Sequence, residues 1–348
     1  IVGNIVSKKA VEALGGRIGL EPAAECGPYM FDSFVANQKT TLVRNPDYKG
    51  GAAFERIEIL PIGDENAAEI AFDAGELDFT TVPVSSIERL RVKAPAGAKL
   101  AEFPSLYYVW LGMNVENPAL QDIRIRQAIQ YAIDLDMIMQ ASYFGVAQPS
   151  TGLIAPGLIG HRPASAIPVN GDIEKAKALL KEAGATGLAL TIDVNNTTTN
   201  VTTAQIIQAN LAQIGITLEI RLHDSASFWS IGDEKAGDQW KSIQLVLNRF
   251  SMNPDPSYAT AWFTSEQIGV WNWERFRSDE FDQLHAAGSA ETDPAKRDQI
   301  YRHAQDLMED SGAYRFITHE AMAVLYRDTI VPALRPDGFT LLRYFNKA

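Results

Sequence analysis

The feature that most constrains the fold of this chain is a strand–helix–strand pattern between residues 188 and 222. Apolar residues alternate strictly at 188, 190, 192 and 194, and again at 216, 218, 220 and 222, as half-buried strands require. The segment between them, Val201–Ile214, reads as a helix of the length that a crossover connection needs. The pattern therefore predicts a βαβ unit and the α/β class of fold.

The rest of the chain also alternates between helical and strand-like periodicity. Apolar residues three and four apart, preceded by Asp or Pro, predict helices at Asp64–Ala74, Asp122–Tyr143, Ile173–Ala183 and Pro294–Glu309. Short β-prone or alternating runs predict strands at Thr40–Arg44, Phe54–Pro61, Leu106–Asn114, Ser242–Leu247, Tyr314–Tyr326 and Phe339–Tyr344.

Size and charge exclude several classes of protein. The chain has 348 residues, which suggests two domains at roughly 150 residues per domain. Its formal net charge of −12 disfavours nucleic acid as a partner, because such proteins need clustered Lys and Arg to neutralise phosphates. With 46% hydrophobic residues the chain is too apolar to be disordered.

Signals for catalysis or a metal are weak. The five histidines show no spacing that places two of them on one helix face, and Gly-x-Ser-x-Gly and phosphate-loop motifs are absent from the sequence. The single cysteine, Cys26, stands beside Gly27 and Pro28 without a nearby histidine, which favours a structural role over a nucleophile. The sequence therefore predicts neither an enzyme nor a cofactor.

Six segments carry motifs of a known kind, and they follow one another in the order of that family. They are Ile5–Glu12, Gly27–Phe31, Leu42–Gly51, Asp122–Asp134, Asp172–Gly184 and Pro254–Pro256. Together they resemble the extracellular solute-binding proteins of family 5, the oligopeptide-, dipeptide- and nickel-binding receptors of ABC importers. The second and third segments are the most specific, although Cys26 stands where the family usually has Thr.

The resemblance implies a two-lobed periplasmic-binding-protein architecture, the type II-like clamp. Residues 1–112 would form part of the first lobe, with 1–25 as the tail of a preceding region. Residues 113–325 would form the second lobe, and 326–348 would return to the first. Since the first motif begins at residue 5, the resemblance also implies that part of the first lobe and a small extra domain are missing.

In function, the resemblance implies a periplasmic receptor that captures a small solute between its lobes and delivers it to a membrane permease. The solute would be a peptide, an opine-like compound or a sugar conjugate, and the protein would be a monomer. Two alternatives stay open: a peptide receptor with a chemosensory or chaperone-like role, and a hydrolase built on the same fold.

Three segments combine the aromatic and polar side chains that a solute site needs. The first lies before the predicted lobe crossing, the second follows an apolar strand, and the third contains two closely spaced indoles. Alternation along the first segment places Tyr108 and Trp110 on one face and Tyr107 on the other, and either face could be core. The candidate ligand-binding residues are Tyr108, Trp110, Asn114, Asn248, Arg249, Phe250, Met252, Asn253, Asp255, Trp271, Asn272 and Trp273.

One departure from the family bears on the ligand. Met252 stands where peptide-binding members have the aspartate that pairs with the amino terminus of the ligand, and Arg249 stands where Trp is common. Losing the carboxylate removes an anchor for an ammonium group, and gaining Arg offers an anchor for an acid. We expect a solute that is not an ordinary peptide held by its amine, unless Asp255 takes over that role.

Overall fold

The computed structural model describes residues 7–15, 26–336, 338 and 340–348. They fall into two compact units. The first comprises the described residues of Ile1–Ala101, Ala323–Arg335 and Phe339–Ala348, and the second those of Glu102–Met322 and Pro336–Gly338. The units change at residues 101 and 322, whereas lobe boundaries were expected at 112 and 325. Most of the expected tail, 1–25, lies outside the described residues.

The described elements alternate between helix and strand along the chain. The strands are β1 (Tyr29–Val35), β2 (Lys39–Arg44), β3 (Arg56–Ile59), β4 (Phe79–Thr81), β5 (Ala98–Met113), β6 (Gln148–Pro149), β7 (Ala189–Asn195), β8 (Thr217–His223), β9 (Leu245–Ser251), β10 (Tyr314–Arg327), β11 (Ile330–Val331) and β12 (Asn346–Lys347). The helices are α1 (Lys8–Ala13), α2 (Glu65–Asp73), α3 (Val84–Val92), α4 (Ile123–Ala132), α5 (Leu135–Tyr143), α6 (Ile173–Glu182), α7 (Thr198–Ala212), α8 (Ser225–Phe228), α9 (Pro256–Thr260), α10 (Asp279–Ala290) and α11 (Pro294–Asp310).

The described residues of the first unit form small sheets and three helices, α1, α2 and α3. Strands β1, β2 and β3 form an antiparallel sheet, and β4 pairs with the end of β10. Asp64 caps α2 as the sequence predicts, since its side chain accepts a hydrogen bond from the Ala67 N–H. Phe72 of α2 is fully buried and packs under the guanidinium of Arg327 at 4.0 Å. Burial of apolar side chains such as Phe72 stabilises the unit.

The second unit is built on a mixed sheet with the strand order β10-β5-β9-β7-β8. Strand β7 pairs in parallel with β8, and α7 connects the two, so the predicted βαβ unit is confirmed. Strand β9 pairs in parallel with β7 and antiparallel with β5. Helix α7 begins before Val201 because Thr197 caps it and accepts a hydrogen bond from Asn200 N.

The prediction of one helix from Asp122 to Tyr143 was wrong. Two helices, α4 and α5, meet at Asp134, whose carboxylate accepts a hydrogen bond from Met137 N at 3.0 Å. Its own N–H donates to Asn210 Oδ1 at 3.1 Å, which replaces the bond that a continuous helix would make. An aspartate in the middle of a helical pattern thus acts as a cap, because a partner distant in sequence satisfies its backbone.

The last predicted strand was also wrong over its described part. Residues Leu342–Tyr344 form a 3₁₀ turn, and only Asn346–Lys347 pair, with β11. Residue 339 lies outside the described residues. The strand predicted at Ser242–Leu247 begins later, at Leu245, because Gln239–Ser242 is a 3₁₀ turn.

Candidate functional site

A cavity lined almost entirely by aromatic rings opens within the second unit. Its lining residues are Trp229, Phe250, Ser251, Trp262 and Trp271, and its volume is about 280 Å³. Trp229 follows α8, Phe250 and Ser251 end β9, and Trp262 lies in the 3₁₀ turn after α9. We refer to these five residues as the aromatic cavity.

Three of the four rings of the aromatic cavity, those of Phe250, Trp262 and Trp271, stand at steep angles to one another. The centroid of Phe250 lies 6.1 Å from Trp262 and 5.8 Å from Trp271, with interplanar angles of 65° and 82°. Trp262 and Trp271 are 5.8 Å apart at 75°. Trp229 stacks on Phe250 at 5.8 Å and is 39% exposed, so the cavity is open to solvent on that side.

Strand alternation determines what lies beneath the cavity. Phe250 is opposite Tyr108 on β5, and the next pair on the same face is Asn248 opposite Trp110. Trp110 is fully buried, with its ring centroid 5.0 Å from that of Phe250. Tyr107 lies on the other face, so the predicted alternation of these aromatic residues is confirmed.

A buried carboxyl group lies behind this layer. Trp110 Nε1 donates a hydrogen bond to Glu274 Oε1 at 2.8 Å, while Glu274 Oε2 has no hydrogen-bond partner among the described residues. Burial raises the pKa of Glu274 to about 7. Gly112 is needed here, because a Cβ at that position would lie 2.0 Å from Glu274 Oε1. Near neutral pH this acid is therefore divided between its charged and neutral forms.

Asn248 is a second unsatisfied polar side chain in this layer. It is 1% exposed, and neither its amide nitrogen nor its oxygen has a hydrogen-bond partner in the described part of the chain. A buried amide without partners costs free energy, and native proteins rarely keep one without a reason. A predicted site residue is thus placed one pair along the strand from the wall of the aromatic cavity.

The guanidinium of Arg249 already forms an ion pair with the carboxylate of Glu320. Its Nε and Nη2 donate to Glu320 Oε2 at 2.7 and 2.6 Å, and its guanidinium stacks on Tyr107 at 3.7 Å from the ring centroid. Alternation along β9 directs it to the face opposite Phe250. An acidic solute would have to displace Glu320 to use Arg249 as an anchor.

The other predicted site residues serve the packing of the second unit. Asn114 donates to Ile243 O, Asn272 to Phe263 O and Phe276 O, and Trp273 to Val270 O. The buried members, which have at most 2% of their surface exposed, are Tyr108, Trp110, Asn114, Met252, Asn272 and Trp273. These side chains offer a solute no accessible surface in this structure.

Asp255, in the turn after β9, also makes its polar contacts within the protein. Asp255 caps α9 by accepting a hydrogen bond from Ser257 N, and it pairs with Arg297 at 2.8 Å. Asn253 is half-buried. The structure therefore brings only Phe250 and Trp271, of the twelve predicted residues, to the lining of the cavity.

Trp229, Trp262 and Ser251 were missed by sequence reasoning. The only signal was that five of the six tryptophans, at 229, 240, 262, 271 and 273, lie in the second half of the sequence. That pattern does not distinguish core from cavity.

A double-mutant cycle on Arg249 and Glu320 tests the structural role of this pair. We expect the two single variants, Arg249→Gln and Glu320→Gln, to be destabilised and the double variant to be less destabilised than their sum. The coupling should be about 1–2 kcal/mol, because each single change leaves one partly buried charge unpaired. Urea unfolding measures it, and strictly additive effects would show that the pair does not contribute.

Within the described ranges, no three His, Cys, Asp or Glu side chains lie close enough together to hold a metal ion. Nor does any helix in that part of the chain combine the length and apolarity that crossing a bilayer requires.

Two solved structures of bacterial binding proteins share this fold. The periplasmic binding protein DppA from Helicobacter pylori, solved with the peptide STSA, superposes with a TM-score of 0.83 at 23% identity, over 99% of this chain and 68% of its own. AgaA from A. tumefaciens R10, solved with agropinic acid, gives a TM-score of 0.77 at 21% identity, over 94% and 66%. These likenesses confirm the predicted α/β fold of the binding-protein type.

The sequence itself then defines the family. The sequence model of the bacterial extracellular solute-binding proteins, family 5, matches residues 7–270, and the chain belongs to this family. A protein of Brucella ovis named as an ABC transporter peptide-binding protein is 31% identical over 297 residues, 82% of this chain. The chain spans 54% of the length of that relative. The family is one of extracellular binding proteins, which agrees with the prediction of a non-enzyme.

Proposed function

We propose that this chain is the solute-binding part of a receptor that serves an ABC importer. The protein would be exported to the periplasm, act as a monomer without catalysis and without nucleic acid, and deliver its solute to membrane permease subunits. Membership of family 5 and the name of the Brucella relative support this role. The solute would be a peptide, an opine-like compound or a sugar conjugate.

The observation that carries the proposal is the aromatic cavity. Sites for small molecules are concave and mostly apolar, with few polar groups, and the indole rings of this cavity are partly accessible, Trp229 being exposed and Trp262 and Trp271 half-buried. Its volume of about 280 Å³ is sufficient for one moiety of a solute rather than for a whole oligopeptide. We therefore assign the aromatic cavity to a side group of the solute.

The turn after β9 supports a solute that is not held there by an amine. Met252 supplies no carboxylate and is buried, and the carboxylate of Asp255 is paired with Arg297. Binding of an acidic solute to Arg249 is also disfavoured, because Arg249 is already paired with the carboxylate of Glu320. Both arguments direct the search for the binding site to the aromatic cavity.

Isothermal titration of the 348-residue chain with dipeptides, an opine and sugar conjugates tests the proposal. We expect at least one solute to bind, and Trp271→Leu to weaken its binding about tenfold or more, since an indole that buries a ligand contributes 1–3 kcal/mol at many interfaces.

Trp240→Leu is the matched control. Trp240 stacks on Arg275 at 4.1 Å and does not line the cavity, so its replacement should change the affinity less than about twofold. The proposal fails if none of the solutes binds, or if Trp240→Leu weakens binding as much as Trp271→Leu.

A further inference from the structure

We propose that the aromatic cavity recognises a quaternary ammonium group carried by the solute. This inference rests on the proposed receptor function and narrows the chemical class of its ligand. It follows from three properties of the cavity, which are the geometry of its rings, the chemistry of its lining and the charge around it.

The first property is the arrangement of the rings. Phe250, Trp262 and Trp271 lie in three planes inclined to one another by 65° to 82°. Steeply inclined rings form the walls of a box, so a compact group bound between them contacts more than one π face. The negative π faces of such a box attract a cation, and indole attracts it most strongly.

The second property is the scarcity of hydrogen-bond acceptors in the lining. Among the described residues, Ser251 is the only polar one that lines the cavity. A primary ammonium brings three N–H donors and a guanidinium five, and each donor left unpaired on burial costs free energy. A quaternary ammonium has no N–H donor, so its methyl groups can contact the rings without this cost.

The third property is the absence of a competing cation. Neither lysine, arginine nor histidine lines the cavity in the described part of the chain. Arg249 is on the opposite face of β9 and is paired with Glu320. Arg275, four residues after Trp271, is held between Glu116 and Glu234.

The surrounding charge is negative instead. Glu274 is fully buried behind Trp110, whose ring touches Phe250, and its Oε2 has no partner among the described residues. Near neutral pH Glu274 is ionised in only part of the molecules, so its charge, together with the net charge of −12, favours a cation in the cavity more strongly as the pH rises. A neutral aromatic group would gain nothing from it.

Three probes that share a hydroxyethyl arm separate the contributions of charge, shape and N–H donors. They are choline, its carbon isostere with a tert-butyl group in place of trimethylammonium, and ethanolamine. Quenching of tryptophan fluorescence in the 348-residue chain reports their binding. We expect choline to bind about tenfold more tightly than the isostere, the ratio that a desolvated cation–π interaction produces, and also more tightly than ethanolamine.

Trp262→Leu provides the second arm. Leucine keeps an apolar wall but removes one π face, so the preference for choline over the isostere should fall severalfold, while the isostere keeps most of its affinity. Trp240→Leu, away from the cavity, should leave the preference unchanged.

Equal affinities for choline and its isostere, tighter binding of ethanolamine, or a failure of all three to bind would overturn the quaternary ammonium proposal. If a dipeptide, opine or sugar conjugate still binds with the dependence on Trp271 described above, the receptor function stands without it.

Discussion

Replacing Arg162 by methionine is expected to lower the free energy of unfolding by about 3–5 kcal/mol. Arg162 is 4% exposed and donates from Nη2 to Glu309 Oε2 at 2.6 Å and from Nη1 to Asp306 Oδ1 at 2.9 Å. The Nε of Arg162 also donates a hydrogen bond to the backbone oxygen of Thr151 at 2.8 Å. Without it, the buried carboxylate of Glu309 loses its cation, and an unpaired buried charge is costly.

Lys177→Met is the matched control for this variant. Lys177 pairs with Glu174 at 3.1 Å, but both side chains are largely exposed, and such pairs contribute about 0–1 kcal/mol. Urea unfolding followed by circular dichroism compares the two. Equal losses in stability would contradict the role of Arg162 in joining α11 to the segment around residues 151–166.

Replacing Glu274 by glutamine is expected to change how stability depends on pH. Its pKa is raised by burial to about 7 from an ordinary 4.5, so the folded chain holds this proton where the unfolded chain has released it. Stability should therefore fall as the pH rises from about 4.5 to 7, by about 3 kcal/mol in total. Glutamine keeps an oxygen for Trp110 Nε1 and has no charge to bury.

Unfolding measured in urea at pH 5, 6, 7 and 8 isolates this contribution, because all other titrating groups are common to both chains. The difference in unfolding free energy between Glu274→Gln and the parent chain should shift in favour of the variant by about 2.5 kcal/mol between pH 5 and pH 8. A difference that stays constant with pH would show that Glu274 is ionised throughout or is not buried as the structure has it.

Local sequence patterns account for much of the fold. The βαβ unit was predictable because strict alternation at 188–194 and 216–222 leaves one reading for each strand. Asp64, Asp122 and Asp172 were recognised as helix caps from position alone. The break at Asp134 was not, because it depends on a backbone partner supplied by Asn210, 76 residues away.

The site was less predictable for the same physical reason. Phe250 and Trp271 were predicted, but the walls formed by Trp229 and Trp262 come from separate turns that only tertiary packing brings together. The charge of Arg249 looked available in the sequence, whereas Glu320, 71 residues further on, neutralises it. An aromatic side chain on a strand belongs to the core if other elements pack over it, and it lines a cavity if they do not. The alternation of apolar residues along the strand does not show which of these holds.

Native mass spectrometry of the purified 348-residue chain tests most directly the central claim that the aromatic cavity holds the solute. After incubation with the panel of dipeptides, opine and sugar conjugates, we expect the parent chain and Trp240→Leu to carry one bound small molecule. The double variant Trp262→Leu/Trp271→Leu should carry none and should still unfold cooperatively in urea, which checks that it is folded. A bound molecule retained by the double variant, or none on the parent chain, would contradict the account.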